Sequence, residues 1–208
     1  MIAMRVRDGR DRHPEWWVAL VSASVWVTML AGVVTSVAGP GHDHTAPLRA
    51  LGPWVLMVLA MMVPLTLPTV RGVARASLWP RRHRAVAVFL GGYVAVWAVA
   101  GVVLLEAHHV AEALLGPLPV ASLALVTAVM WWRHPVCRRA AIRCGRSAPL
   151  APRGWRADRD AARFGAHIGA SCVVSCWATM GAVVALGHHV VVMAAGLALH
   201  LHRRVRAA

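Results

Sequence analysis

The chain has 208 residues, 59% hydrophobic and 14% charged, with a formal net charge of +14. A soluble domain carries about a quarter charged residues. Here the apolar residues gather in blocks close to the roughly 20 residues that cross a bilayer core, which argues against a soluble globular domain. The charge does not point to nucleic acid either. All 22 basic residues are arginine, and they fall between the apolar blocks, at Arg5 to Arg12, Arg71 to Arg84, Arg133 to Arg163 and Arg203 to Arg206, with Arg49 alone elsewhere. That alternation is the positive-inside pattern and assigns the clusters to the cytoplasm. The partner it predicts is a bilayer with anionic headgroups.

In chain order, residues 1–15 read as a basic cytoplasmic tail. The first span, 16–39, runs outward. It exceeds a signal-peptide core of roughly 7–15 residues, although Ser36-Val37-Ala38-Gly39 resembles a cleavage site. An outer loop with His42 and His44 leads to the second span, 54–70. After a basic loop, the third span covers 85–105, and a second outer loop from Glu106 to Pro119 carries His108 and His109. The fourth span, 117–132, has its apolar run at Val120–Trp132, with Pro117 and Pro119 in its first turns. Residues 133–163 read as a long cytoplasmic loop rich in Arg and Pro, holding Cys137 and Cys144, which reducing conditions would keep as thiols. The fifth span is 164–187, with His188 and His189 at its outer end. The sixth is 189–202, followed by a tail, 203–208. Trp16, Trp17, Trp54, Trp131 and Trp132 sit at the interfaces, as aromatic belts do. The expected fold is all-α, a polytopic membrane bundle of about six helices with both termini cytoplasmic. Neither a repeat nor a soluble domain is evident, and the expected location is the plasma membrane.

Three constellations carry chemistry. Cys172, Cys176 and Met180 are spaced i, i+4, i+8 and form one helical stripe. Continued through Val184, the stripe reaches His188. Two thiols one turn apart suit a soft metal with a third ligand from another helix. Equally, Gly165 and Gly169 make a small-xxx-small pattern, and Cys is a small residue suited to packing. In the second span, Met57, Met61 and Met62 precede Pro64 and Pro68. Methionine fills gaps in bundles, and proline kinks a span and frees carbonyls. The outer histidine pairs, His42/His44, His108/His109 and His188/His189, would be gathered on one side by a folded bundle, where neutral imidazole is a common metal ligand. Asp43, Glu106 and Glu112 are the only acidic residues there and would orient those imidazoles. His200 and His202 are expected at an interface. Cys137 and Cys144 form no CxxC, so zinc is weakly supported. The chain shows no Walker loop, nucleophile elbow or triad, and no acid–base pair in a span, so no enzymatic activity is expected.

The runs WVLMVLAMMVPLTLP, GGYVAVW, the segment from Pro135 to Arg146, GASCVVSCWATM and GHHVVVMAA resemble a bacterial family described as predicted metal-binding integral membrane proteins, some members labelled copper chaperones. The resemblance begins near Trp54 and runs to the C-terminus. It implies that Met61, Met62, Pro64, Tyr93, Trp97, Cys172, Cys176, Trp177 and Met180 occupy the family's marked positions. The chain departs from that pattern where many relatives carry adjacent cysteines, since Ser175 precedes Cys176. In the cytoplasmic segment, of a lysine and two cysteines four apart, only Cys144 matches.

Together these readings predict a membrane protein handling Cu(I). The outer histidines would collect the ion, Met57, Met61, Met62 and Met180 would relay it, and Cys172 and Cys176 would hold it, for transport or for delivery between a copper donor and a membrane cuproenzyme. Two other readings stand beside it: a haem protein with His167 as axial ligand, and a structural or assembly partner in which Met and Cys only pack.

Overall fold

The structure, a computed structural model, describes residues 15–36, 47–144, 151, 154–187 and 189–207. All regular structure among them is helical: α1 (Trp16–Ser36), α2 (Pro47–Met61), α3 (Val63–Ala76), a single 3-10 turn (Trp79–Arg81), α4 (Arg82–Leu115), α5 (Pro117–Arg133), α6 (Pro135–Arg143), α7 (Gly154–Ala185) and α8 (Val190–Ala207). Two helical stretches, Trp79–Leu115 and α7, are long and apolar enough to cross a membrane. The number is four if the bent pairs Leu51–Met61 with α3, and α5 with α6, each count as one span. Trp16–Gly32 is a shorter apolar helix.

The two bends, 63° and 70°, have proline at their origin. Pro64 has no N–H, so the carbonyl of Ala60 loses its helical donor. Helix α1 supplies replacements, with Trp26 Nε1 donating to that carbonyl at 2.9 Å and Ser22 Oγ to Leu59 O at 3.0 Å. At the second bend, Pro135 pushes the preceding His134 out of the helical region to φ −68°, ψ 137°. The His134 imidazole then accepts from Val136 N at 3.3 Å and caps α6.

The bundle is organised on α4 and α7, which run parallel. Asp158 receives Arg81 at 2.7 Å and Arg84 at 2.8 Å near their starts, Phe89 meets Phe164 at 5.6 Å, and Tyr93 meets Cys172 higher up. The backbones touch because the contact residues are glycines. A methyl on Gly165 would overlap the Phe89 carbonyl, and one on Gly92 the Ala162 carbonyl. This is the small-residue contact by which apolar helices pack without a hydrophobic driving force. Helix α2 runs antiparallel to α4. Trp54 seats its indole where a Gly101 side chain would stand, and donates to Trp97 O at 2.8 Å. Helix α8 returns antiparallel to α7, with Gly196 beside Thr179 and His200 beside Cys176.

Several expected boundaries are corrected. The segment from Glu106 to Leu115 is not a loop: α4 continues through it and carries His108 and His109 as helical residues. Nothing between Glu106 and Leu115 breaks a helix; Gly116, at φ 81°, ends it. At about 1.5 Å per residue, α4 is roughly 50 Å long, well beyond a bilayer core. The second span is two helices, not one. The segment 133–163 contains α6 and the first turns of α7, and α8 extends past 202. Residues 1–14 and 37–46, including His42 and His44, and residue His188 lie outside the described residues.

Gly165→Ala is expected to destabilise the bundle by about 1–3 kcal/mol through overpacking against backbone. Gly91→Ala, where a methyl meets nothing within 4 Å, should be neutral or stabilising. Thermal unfolding of both variants in one detergent checks the pair, and equal melting temperatures would contradict the α4–α7 contact.

Candidate soft-metal centre

The rotation of α7 follows from its glycines. Gly165 and Gly169 face α4, and Cys172, at i+7 and i+3 from them, shares that face. Cys176 follows one turn on. The expected stripe is buried as far as Val184: Cys172 and Met180 are fully inaccessible, and Cys176 and Val184 nearly so.

Cys172 is the hub. Its Sγ accepts a hydrogen bond from the Tyr93 hydroxyl at 3.1 Å. It stands 4.0 Å from Met62 Sδ and 4.0 Å from Cys176 Sγ. Metal–sulfur bonds of about 2.3 Å at about 120° place two sulfurs roughly 4.0 Å apart, so these spacings suit a shared soft ion. Ser175 Oγ lies 3.2 Å from Cys176 Sγ. On the other side His200 Nδ1 lies 3.7 Å from the same sulfur, and its Nε2 lies 3.2 Å from Thr179 Oγ1. Among the described residues no three His, Cys, Asp or Glu side chains close on one point as a metal cage. The donor set is instead two thiols and a thioether, with further donors adjoining, and thiolate with thioether is the combination that favours Cu(I).

Helix α6 brings the other two cysteines to this centre. Cys137 and Cys144 are both fully buried, not loop residues in water. Cys144 stands beside Cys172. Its backbone carbonyl accepts from Thr69 Oγ1 at 3.1 Å. Cys137 Sγ donates to Ser175 O at 3.3 Å and accepts from Arg203 Nη1 at 3.1 Å. Arg203 also stacks over the Trp132 ring at 4.1 Å, and Arg204 donates to Leu65 O.

Of the residues the sequence singled out, the structure joins Met62, Cys172 and Cys176. Met57, Met61 and Met180 are fully buried in the surrounding core but stand outside this set of contacts. Met61 instead packs its methyl towards Gly196. His108 pairs with Glu112 at 3.4 Å within α4, and His109 and His189 are exposed. No metal-holding group forms among the described outer histidines. His200, expected at an interface, is 5% exposed and lies against Cys176, because Met193, Gly196 and His200 form the inward stripe of α8. The spacing i, i+3, i+7 was the available signal there, and it recurs in Cys137, Ala140 and Cys144, which the arginines around them obscured.

Fold and site thus define an all-helical protein, with helices apolar enough to cross a membrane, that encloses a cluster of soft donors. The chain matches the family model described as PpoB2, copper chaperone, over residues 51–207. It belongs to that family. No curated protein and no solved structure matches it.

All four thiols should resist alkylation by iodoacetamide in the folded, detergent-solubilised protein and react in denaturant. Mass spectrometry of the labelled peptides reads this directly. Rapid labelling of Cys137 and Cys144 in the folded state would show that α6 is not seated against α7.

Proposed function

We propose that the protein spans the membrane six times with both termini cytoplasmic, and that it binds Cu(I) at Met62, Cys172 and Cys176 for delivery to another copper protein. The observation that carries this reading is the hub at Cys172, with one thioether and one thiol each 4.0 Å from its sulfur, in a chain of a copper chaperone family. Soft sulfur donors discriminate against the hard cations that abound in cells. Cys144 and His200 adjoin the pair and offer a further ligand as the ion enters or leaves. Metal binding requires the thiolates, so it would release protons and strengthen as pH rises. The outer histidines lie where such an ion would enter: α4 and α7 are parallel, so His108, His109 and His189 fall at one end of the bundle. The arginine clusters support the topology, because the positive-inside rule sets them on one side.

The decisive measurement is copper content of the reduced, detergent-purified protein after Cu(I) loading. Wild type should carry stoichiometric copper, and Cys172→Ser with Cys176→Ser should lose it while remaining folded. Copper retained by a folded double variant would sink the assignment, and so would absence of copper from wild type, which favours a packing role for the cysteines. A Soret band in the same preparation would favour haem.

Tyr93→Phe removes a hydrogen bond to a ligand sulfur without removing a ligand. Changes of that kind weaken metal affinity about 10–100-fold. Competition with a chromophoric Cu(I) chelator should show a loss in this range with an unchanged melting temperature. An unchanged affinity would mean that the hydroxyl serves packing alone.

A further inference from the structure

A lateral groove about 360 Å³ in volume lies between α6 and α7. Arg139, Arg143 and His167 stand on its walls, and Val136, Ala170 and Val174 give it an apolar lining. Among the described residues none forms a hydrogen bond or ion pair with the side chains of these two arginines or of His167. Among the described residues no carboxylate lines the groove; on α7 Asp160 and Asp158 lie about two turns or more before His167, and Asp158 is engaged by Arg81 and Arg84.

The groove is graded along α7. His167 sits one turn beyond Arg163, where the helix passes from charged to apolar residues. Val174 lies seven residues further, roughly 10 Å deeper along the axis. The α7 wall therefore passes from an imidazole to hydrocarbon, and α6 adds two guanidinium groups and Val136 on the facing wall. Guanidinium groups bind phosphate oxygens in forked geometry, and basic pockets between helices at the inner membrane face suit anionic headgroups. We infer that this groove binds a phospholipid with an anionic headgroup, its phosphate against Arg139, Arg143 and His167 and its glycerol and first acyl carbons against Val136 and Val174. A free phosphate ion would use the arginines but leave the apolar end uncovered. The inference rests on the membrane placement proposed above and is independent of copper.

The test uses delipidated protein in detergent, with dioleoylphosphatidylglycerol, dioleoylphosphatidylcholine or inorganic phosphate added. Native mass spectrometry counts retained lipid, and thermal unfolding reads stabilisation. Phosphatidylglycerol should be retained and should raise the melting temperature, and the other two additions should not. Arg139→Gln with Arg143→Gln, both exposed positions, should cut retention at least tenfold. Ala170→Trp, which fills the groove and keeps both arginines, should do the same. Arg156→Gln with Arg206→Gln removes equal charge elsewhere and should retain lipid. Equal retention of phosphatidylcholine, equal stabilisation by phosphate, equal loss in the control variant, or full retention in both groove variants would each overturn the proposal. Copper content, measured on the same samples, reports separately on the metal site.

Discussion

The close backbone contact between α4 and α7 is the constraint from which the centre follows. Apolar helices in an apolar solvent gain little by burying side chains against each other, so they hold together through close packing and hydrogen bonds. Glycines at 92, 165 and 169 let these two backbones meet. That distance and rotation bring a buried phenol within 3.1 Å of a buried thiol. Were the helices spaced by ordinary side chains, Tyr93 would still point at α7 but would stop short of Cys172. Glycine packing and thiol placement go together on this face. The glycines set the separation, and the cysteines occupy the same face one turn beyond.

The thioether arrives by a different device. An unbroken second span would carry Met62 past the thiols as one more residue on a straight helix. Pro64 bends the chain at Met62, and the bend is tolerable only because Trp26 and Ser22 supply donors to the carbonyls of Ala60 and Leu59. In an apolar medium an orphaned carbonyl is costly, and neighbouring helices meet the need. Helix α1, which contributes no sulfur, therefore matters to the cluster by stabilising the break that positions the Met62 thioether. A mutation in α1 that removed both donors would act on the sulfur cluster from a distance.

Much of this was legible in the sequence. The inward stripe of α7 follows from the i, i+4, i+8 spacing of Cys172, Cys176 and Met180, and the bend from proline after a methionine run. Two things were not. Helix α6 has nine residues and shows the interior only Cys137, Ala140 and Cys144, too few turns for periodicity to stand out among arginines and adjacent prolines. Its seating depends on a tertiary fact, the surface offered by Ser175 and Cys172 on α7. The end of α4 was missed for another reason. Loss of hydrophobicity near Glu106 marks where an apolar medium would end, not where a helix ends, and hydrogen bonding carries the helix on until Gly116. His200 shows the same limit, since a histidine near the end of an apolar block reads as interfacial until the rotation of its helix is known.

Helix α8 closes one side of the cluster beside α6, and there structure and charge are coupled. Arg203 satisfies the carbonyl of Trp132, left without a helical donor where α5 ends, and also contacts Cys137. Arg204 binds Leu65 O, just past the other break. Both guanidinium groups lie within about one turn of His200 on the same helix. On the proposed reading, a Cu(I) ion between two thiolates would carry a net negative charge, which these cations would offset. Because imidazole and arginines ride on one rigid helix, they cannot be displaced independently. Any shift of α8 that frees Trp132 O and Leu65 O also withdraws His200 from Cys176 and removes the compensating charge. On the copper-binding reading proposed above, loosening α8 and loosening the hold on the ion would be the same movement.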